Sequence, residues 1–136
     1  MTHKVLIVDD DKDIAEAIQL ILKLEEFDTQ MVTDHEMIVS TAKKYLPDVI
    51  LLDILLSGVD GREICGSLKK DRLFQRVPVI MMSAYPDANK SALEAGATEF
   101  LPKPFDAVLL VEKVQFCISQ TTLPLEETNT VKTVTT

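Results

Sequence analysis

Five polar side chains in this sequence directly follow apolar runs, where their types and spacing could support chemistry. Asp9 and Asp10 follow a short aliphatic run, Asp53 ends an unbroken apolar run, and Ser83 and Lys103 follow two others. Carboxylates that lie close together repel one another, which raises the pKa of at least one of them unless a cation is present. Mg²⁺ prefers oxygen ligands and retained waters, so we expect Mg²⁺ on Asp10 and Asp53, with Asp9 acting through water.

Together these groups form an arrangement for phosphoryl transfer. Mg²⁺ and Lys103 would neutralise the oxygens of the transferred group, and Ser83 would donate a hydrogen bond to it. Asp53 would attack phosphorus in line and form an acyl phosphate. Each residue alone has a simpler explanation, since Asp9 and Asp10 could belong to a helix N-terminus and Ser83 could bond its own loop. The combination of all these groups favours phosphoryl transfer.

These residues come together only if the apolar runs before them are neighbouring strands of one sheet. Five predicted strands alternate with five predicted helices, which predicts an α/β fold with a doubly wound (βα)5 five-stranded parallel sheet. The first, third and fourth strands are the most continuously apolar, as central strands are. We therefore expect the flavodoxin-like strand order 2-1-3-4-5, with the carboxyl ends of the strands at one crevice. The predicted strands are 4–8, 27–32, 49–52, 77–82 and 98–101, and the predicted helices are about 14–24, 35–45, 61–70, 87–95 and 105–120.

The composition indicates one globular domain without a nucleic-acid or membrane partner. The 136 residues carry 14 basic and 22 acidic side chains, for a net charge of −8, and the basic residues form no cluster. Nucleic-acid phosphate would be repelled, so we expect no direct nucleic-acid binding by this domain. No apolar run reaches the roughly 18 to 20 residues of a membrane span and no signal peptide is evident, so we expect a cytoplasmic location. Cys65 and Cys117 lie in predicted helices, which favours two small buried hydrophobic residues.

Four motifs, in chain order, resemble the receiver (REC) domains of two-component response regulators, including single-domain regulators of the chemotaxis type. The motifs are LIVDDD at 6–11, LLDILLSGVDG at 51–61, IMMSA at 80–84 and GATEFLPKPF at 96–105. The resemblance spans residues 4 to about 119 and implies a receiver domain over 1–120.

The resemblance implies that Asp53 is a phosphoacceptor, with a sensor histidine kinase or a histidine phosphotransfer protein as the donor. It also implies a Mg²⁺ site formed by Asp10, Asp53 and the carbonyl oxygen of Leu55. A cis peptide bond between Lys103 and Pro104 is implied as well, since X-Pro bonds adopt the cis form at modest cost. A receiver of this kind is a signalling protein rather than an enzyme, although it assists its own phosphorylation and dephosphorylation.

The resemblance further implies a switch formed by Ser83 and Phe100. When Asp53 carries phosphate, the Ser83 hydroxyl would move to a phosphate oxygen and vacate space into which the Phe100 ring turns. The ring has no hydroxyl and needs no polar partner inside, although a permanently buried Phe100 is the alternative. The switch would alter the face formed by the fourth helix, the fifth strand and the fifth helix.

Five positions stand out against the family pattern: three depart from it, and two flank the expected phosphorylation site. Ser57 stands where the family usually has proline, so we expect a more mobile loop there. The pair 25–26 is Glu-Glu where a glycine often ends the first helix, so that cap must be made differently. Leu55 and Tyr85 flank the expected phosphorylation site, at positions that tune hydrolysis in relatives. Neither side chain can orient an attacking water, which predicts slow self-dephosphorylation.

The last predicted helix carries more apolar residues than one buried face requires. Val108, Leu109 and Phe116 are left partly outward, and this partner face could contact an output surface or a second copy in a homodimer. The segment 123–125 could instead fold back over it. Seven threonines and no helical period in 121–136 predict an extended or disordered tail. The predicted core residues of this helix are Ala107, Leu110, Val111, Val114, Cys117 and Ile118.

Two other classes of function would have different residues at these positions. An aspartate-nucleophile phosphatase or phosphotransferase of the haloacid-dehalogenase type would have a second aspartate two residues after the nucleophile, where Leu55 stands. A receiver-like interaction module that never carries phosphate would usually lack one of the reactive groups. Because Asp10, Asp53, Ser83 and Lys103 are all present, the sequence favours a phosphorylated receiver.

Overall fold

The computed structural model describes residues 2–122, which form seven strands and five α-helices. The strands are β1 (Lys4–Val8), β2 (Asp28–Val32), β3 (Val49–Asp53), β4 (Leu55–Leu56), β5 (Val59–Asp60), β6 (Val79–Ser83) and β7 (Glu99–Pro102). The helices are α1 (Lys12–Leu24), α2 (Ile38–Tyr45), α3 (Gly61–Lys70), α4 (Ala88–Glu94) and α5 (Ala107–Thr122), with a 3₁₀ turn at His35–Met37. Helix α5 runs two residues past its predicted end, and the rest of the predicted tail, 123–136, lies outside the described residues.

Five of the strands form a parallel sheet in the order β2-β1-β3-β6-β7. When the short strands β4 and β5 are left out of the count, this is the predicted order 2-1-3-4-5, which is therefore confirmed. Strands β3 and β6 are buried at every position because they lie in the middle of a sheet covered on both faces. Asp53 pairs with Met82, and Ser83 pairs with Pro102. The last residues of β3, β6 and β7 therefore lie close together at the carboxyl edge of the sheet.

Helices cover both faces of the sheet and complete two hydrophobic layers. On one face, Ile18 of α1 and Leu110 of α5 pack against the sheet, and on the other Ala42, Leu68 and Ala92 of the remaining helices do so. None of the helices within 2–122 combines the length and apolar content that crossing a bilayer requires. The architecture is the expected doubly wound α/β fold.

Both cysteines lie inside these layers, as the sequence analysis expected. Cys65 and Cys117 are free thiols with buried side chains. Burial raises the pKa of both thiols, to about 11 for Cys117. Each therefore stays protonated near neutral pH and packs as a small apolar side chain.

A short hairpin that the sequence analysis did not predict follows β3. Strands β4 and β5 pair antiparallel over two residues each. Gly58 lies between them with φ of 77°, a conformation that glycine adopts without steric cost. At the far end of the hairpin, Gly61 approaches β3 so closely that a Cβ atom would overlap the carbonyl oxygen of Asp53. Two residues per strand are too few to give a periodic sequence signal.

The end of α1 is closed without the glycine that often stands there. Glu26 adopts a left-handed conformation with φ of 67°. The N–H groups of Glu25 and Glu26 donate to the carbonyl oxygens of Leu22 and Lys23. A glutamate therefore takes the backbone conformation that glycine favours at the end of a helix.

Ala107, the first residue of α5, lies outside the core, so the prediction that it is a core residue is wrong. Ala107 is exposed, whereas Leu110, Val114 and Cys117 are buried. Ala107 is the first residue of α5, and it lines an open groove between α1 and α5. Leu110, the fourth residue of the helix, is its first fully buried side chain.

Candidate functional site

Three carboxylates meet at the carboxyl edge of the sheet. Asp9 follows β1 and is buried, and Asp53 ends β3 and is 6% exposed. Asp10 is exposed beside them. One carboxylate oxygen from each of the three lies within 4.8 Å of the others. The sheet thus brings together the acids that the sequence analysis assigned to one crevice.

Lys103 provides the positive charge inside this cluster. Its Nζ lies 2.8 Å from Oδ2 of Asp9 and 3.4 Å from Oδ1 of Asp53. The Lys103–Pro104 peptide bond is cis, and the Lys103 N–H donates to the Ser83 carbonyl oxygen at 2.8 Å. The sequence analysis did not predict the direct ion pair between Lys103 and Asp9.

The electrostatics of the cluster leave an excess of negative charge. Burial raises the pKa of Asp53, and the charges of Asp9 and Asp10 raise it further. The nearby Lys103 ammonium lowers it in part, and the resulting pKa is about 6. Burial lowers the pKa of Lys103, but its hydrogen bond to Asp9 and the two buried carboxylates outweigh that effect and raise it. Three carboxylates and one ammonium suit a small divalent cation with oxygen ligands, so the donor set fits Mg²⁺.

Asp10 has a different partner from its neighbour Asp9. The backbone N–H of Ser57 donates to Oδ2 of Asp10 at 2.9 Å, and the Ser57 hydroxyl donates to the same oxygen at 2.6 Å. Ser57, where we expect a more mobile loop, lies in the turn of a hairpin and contacts the acidic cluster. The sequence signal for this contact was the departure from proline, because a proline at this position has no N–H to donate.

The expected switch residues lie on adjacent strands. Ser83 is buried at the end of β6, and its Oγ accepts a hydrogen bond from the Tyr85 N–H at 3.0 Å. Phe100 on β7 is 9% exposed and packs in the layer beneath α2, α3 and α4. The ring is therefore already inside the protein, which is the arrangement of the buried-ring alternative.

A cavity of about 320 Å³ opens beside Ser83. Leu55 and Tyr85 line it, and both side chains are more than half exposed. Arg62, which the sequence analysis missed, lines it as well. Its guanidinium binds the Asp60 carboxylate at 2.6 Å and donates to Ser91 Oγ on α4 at 2.9 Å. No motif marked Arg62, since both of its contacts depend on the folded arrangement of the hairpin and α4.

The three residues of the expected partner face do not form one strip. Val108 is 67% exposed and lines the groove between α1 and α5 with Leu24. Leu109 packs partly against the core, and Phe116 is 48% exposed two helical turns later. Residues seven apart lie on the same side of a helix, whereas successive residues differ by about 100°. Leu109 and Phe116 therefore share a side of α5, and Val108 lies on another side, next to α1.

The parallel α/β sheet carries three carboxylates and a lysine at its carboxyl edge, and comparison with known proteins shows the family to which this domain belongs. A family model described as the response regulator receiver domain matches residues 5–115. The chain belongs to this family of receiver domains.

Relatives of known name are similar to this chain over its receiver domain. The DNA-binding response regulator MtrA of Mycolicibacterium paratuberculosis is 34% identical over 117 residues, which are 85% of this chain and 51% of that protein. The response regulator PleD of Caulobacter vibrioides is 32% identical over 85% of this chain and 26% of its own length. The chain therefore spans about half or less of the length of these curated relatives.

Solved structures give the same picture. A putative response regulator from Chloroflexus aurantiacus has a TM-score of 0.83 and 31% identity, covering 88% of this chain and 99% of that chain. The signal receiver domain of a signal transduction histidine kinase from Syntrophus aciditrophicus has a TM-score of 0.82 and 29% identity, covering 90% and 95%.

Proposed function

We propose that Asp53 accepts a phosphoryl group from a sensor histidine kinase or a histidine phosphotransfer protein. The observation that carries this proposal is the position of the Asp53 carboxylate, which is nearly buried at the crevice with the Lys103 Nζ 3.4 Å from its Oδ1. The pKa of the Asp53 carboxyl is raised to about 6 by burial and by neighbouring acids, so its ionised form would be stabilised by an added cation such as Mg²⁺. Membership of the receiver family supports the same role.

In the transfer step, a carboxylate oxygen of Asp53 forms a bond to phosphorus while the bond from phosphorus to the donor imidazole nitrogen breaks. The imidazole leaves with its electron pair and takes a proton from solvent. Lys103 donates hydrogen bonds to the transferred group, and Ser83 supplies a hydroxyl donor. Asp10, Asp53 and the Leu55 carbonyl oxygen are the groups that would hold Mg²⁺, which supplies charge neutralisation when bound.

The phosphorylated state is communicated through Ser83 and Phe100. In the structure the Ser83 hydroxyl accepts a hydrogen bond from the Tyr85 N–H. A movement of this hydroxyl toward a phosphate oxygen would break that hydrogen bond. The loop after β6 would then move, and the Phe100 ring, which is already inside the protein, would shift toward the space that Ser83 leaves. The surface formed by α4, β7 and α5 is the face that would change.

The protein acts as a signalling receiver that assists its own phosphorylation and dephosphorylation. We place it in the cytoplasm, with Mg²⁺ as its cofactor and without direct nucleic-acid binding by this domain. The side of α5 that carries Leu109 and Phe116 is a candidate surface for an output partner or a second copy in a homodimer.

Self-dephosphorylation should be slow because the two residues beside the site cannot position water. Leu55 and Tyr85 are exposed at the cavity next to Ser83, and neither is an acid or an amide. We expect that Leu55→Asn combined with Tyr85→Glu increases the rate of phosphate loss about tenfold, less than the roughly 10²- to 10⁴-fold effect of a well-positioned general acid or base. The measurement is the decay of the phosphorylated mass after the donor is removed. An unchanged half-life would contradict this role.

The decisive experiment incubates the protein with acetyl phosphate or phosphoramidate and Mg²⁺ and measures intact mass. We expect one phosphate adduct in the wild type and none in Asp53→Asn. Asp13→Asn is the matched control, because Asp13 is an exposed aspartate in the first turn of α1. A wild type without an adduct, or an Asp53→Asn variant with an undiminished one, would overturn the proposal.

A further inference from the structure

Ser57 makes a contact that has no role in the phosphoryl transfer to Asp53. Its N–H and its hydroxyl both donate to Oδ2 of Asp10, at 2.9 and 2.6 Å. Hydrogen bonds to a carboxylate are among the stronger ones in proteins. Two donors on one oxygen restrict the rotation of a side chain that is otherwise exposed.

The hairpin fixes the position of Ser57 itself. Leu55 pairs with Asp60 and Leu56 pairs with Val59, so Ser57 occupies the tight turn between two hydrogen-bonded strands. Gly58 completes this turn with a positive φ, as the third residue of a type II turn requires. The donors therefore reach Asp10 from a backbone whose conformation is set by the hairpin rather than from a flexible loop.

We propose that Ser57 is a positioning residue that holds the Asp10 carboxylate in the orientation needed to bind a divalent cation, an inference that rests on the proposed Mg²⁺-dependent function. The two donors on Oδ2 fix the orientation of the Asp10 carboxylate within the group of three acids, each of which has one oxygen within 4.8 Å of the others. Hydrogen bonds to metal-binding side chains orient them and increase metal affinity. A proline at this position would provide neither donor, so this chain holds its acidic cluster by a contact that the usual family residue cannot make.

The test is a titration with MgCl₂ in the absence of any phosphodonor. Binding is measured from the amide chemical shifts of residues 53–58 in ¹H–¹⁵N spectra. We expect Ser57→Ala to weaken Mg²⁺ binding about tenfold, the lower end of the effect of such second contacts, because Asp10 is exposed. Ser57→Thr keeps the hydroxyl and should restore most of the affinity. Ser67→Ala, an exposed serine on α3, is the matched control and should bind Mg²⁺ like the wild type.

A double-mutant comparison separates positioning from a general structural effect. In the Asp10→Asn background, Ser57→Ala should cause no further loss of Mg²⁺ affinity, since the carboxylate that it orients is gone. Unchanged or tighter Mg²⁺ binding in Ser57→Ala would overturn the inference. So would a loss of Mg²⁺ affinity on adding Ser57→Ala to Asp10→Asn that equals the loss caused by Ser57→Ala alone. If the wild type takes phosphate on Asp53 while Ser57→Ala binds Mg²⁺ normally, only the positioning role fails. If the wild type shows no response to Mg²⁺, the proposed Mg²⁺-dependent function fails with it.

Discussion

Asp9 and Asp10 are neighbours in the sequence, but their carboxylates lie in opposite environments. Asp9 is buried, and its carboxylate accepts from the Lys103 ammonium, 94 residues away, and from the backbone N–H of Asp11 at 2.9 Å. Asp10 is exposed, and its partners are the two donors of Ser57 on a nearby hairpin. The buried carboxylate has an ammonium among its partners, whereas the exposed one is held by two neutral donors.

The difference shows how burial decides what kind of partner an acid needs. A buried carboxylate loses its hydration and must gain a counter-charge, so removing that charge is costly. An exposed carboxylate keeps most of its hydration, and its hydrogen bonds contribute little to folding. We therefore expect changes near Asp9 to act mainly on stability and changes near Asp10 to act mainly on cation binding.

Lys103→Met should break this comparison most strongly. The substitution keeps a long apolar side chain but leaves Asp9 and Asp53 buried without a cation, so we expect the free energy of unfolding to fall by about 4 kcal/mol. The measurement is urea unfolding at neutral pH with EDTA. Lys113→Met is the matched control, since it removes an ammonium from a partly exposed pair with Glu99 at 2.7 Å. That change should cost less than about 1 kcal/mol.

Equal losses in the two lysine variants would show that burial does not set the strength of these ion pairs. A small loss in Lys103→Met would mean that Asp9 or Asp53 takes up a proton at little cost. In that case the acidic cluster would not depend on Lys103 for its stability.

Gly61→Ala tests the close approach between the backbone at the end of the hairpin and the backbone of β3. A Cβ at Gly61 would overlap the Asp53 carbonyl oxygen, and a backbone atom of a central strand cannot move aside easily. We expect a loss of about 3 kcal/mol in the free energy of unfolding, as for other overpacked sites. Gly66→Ala is the control within α3, where a Cβ meets no atom within 4 Å. Replacing that helical glycine should stabilise the protein by up to about 1 kcal/mol. Destabilisation of similar size in both variants would contradict the close approach.

The fold was predictable because its signals are local. Continuous apolar runs identify β1, β3 and β6 as central strands, and the connections between parallel strands leave few possible orders. The positions of Asp53 and Lys103 followed from the same reasoning, since each ends or follows a strand. A residue type at a strand end can be read from the sequence without knowing its neighbours.

The partners of these residues were not predictable because they depend on the folded arrangement of distant segments. The contact between Lys103 and Asp9 joins residues 94 positions apart, and several acids at the crevice could have taken that place. The hairpin that carries Ser57 is too short to give a periodic pattern. In α5, helical periodicity gives the angle of Val108 around the axis but does not show that α1 lies beside it.

Asp53→Asn should have the smallest effect, and it should be a gain in stability. Burial and the neighbouring carboxylates raise the pKa of Asp53 from 3.8 to about 6, so the folded protein favours the protonated form. The wild type therefore loses stability relative to Asp53→Asn as the pH rises through this range, and the difference should disappear below about pH 4, where Asp53 is protonated in both states. Each unit of pKa shift corresponds to about 1.4 kcal/mol, and because Lys103 can adjust to the charge we expect a gain of roughly 2 kcal/mol at neutral pH.

Urea unfolding of the two proteins from pH 4 to pH 7 with EDTA measures this difference, and groups that titrate alike in both proteins cancel. Asp28→Asn, at an exposed position on β2, is the control and should show no such pH-dependent gain. Mg²⁺ should reduce the advantage of Asp53→Asn, because a cation bound to the native carboxylates stabilises the wild type more. A gain that does not depend on pH would mean that the amide packs better than the carboxylate for reasons other than charge. Asp53 would then not be an acid destabilised by burial and by the charges of Asp9 and Asp10, and its raised pKa would no longer support the proposed cation site.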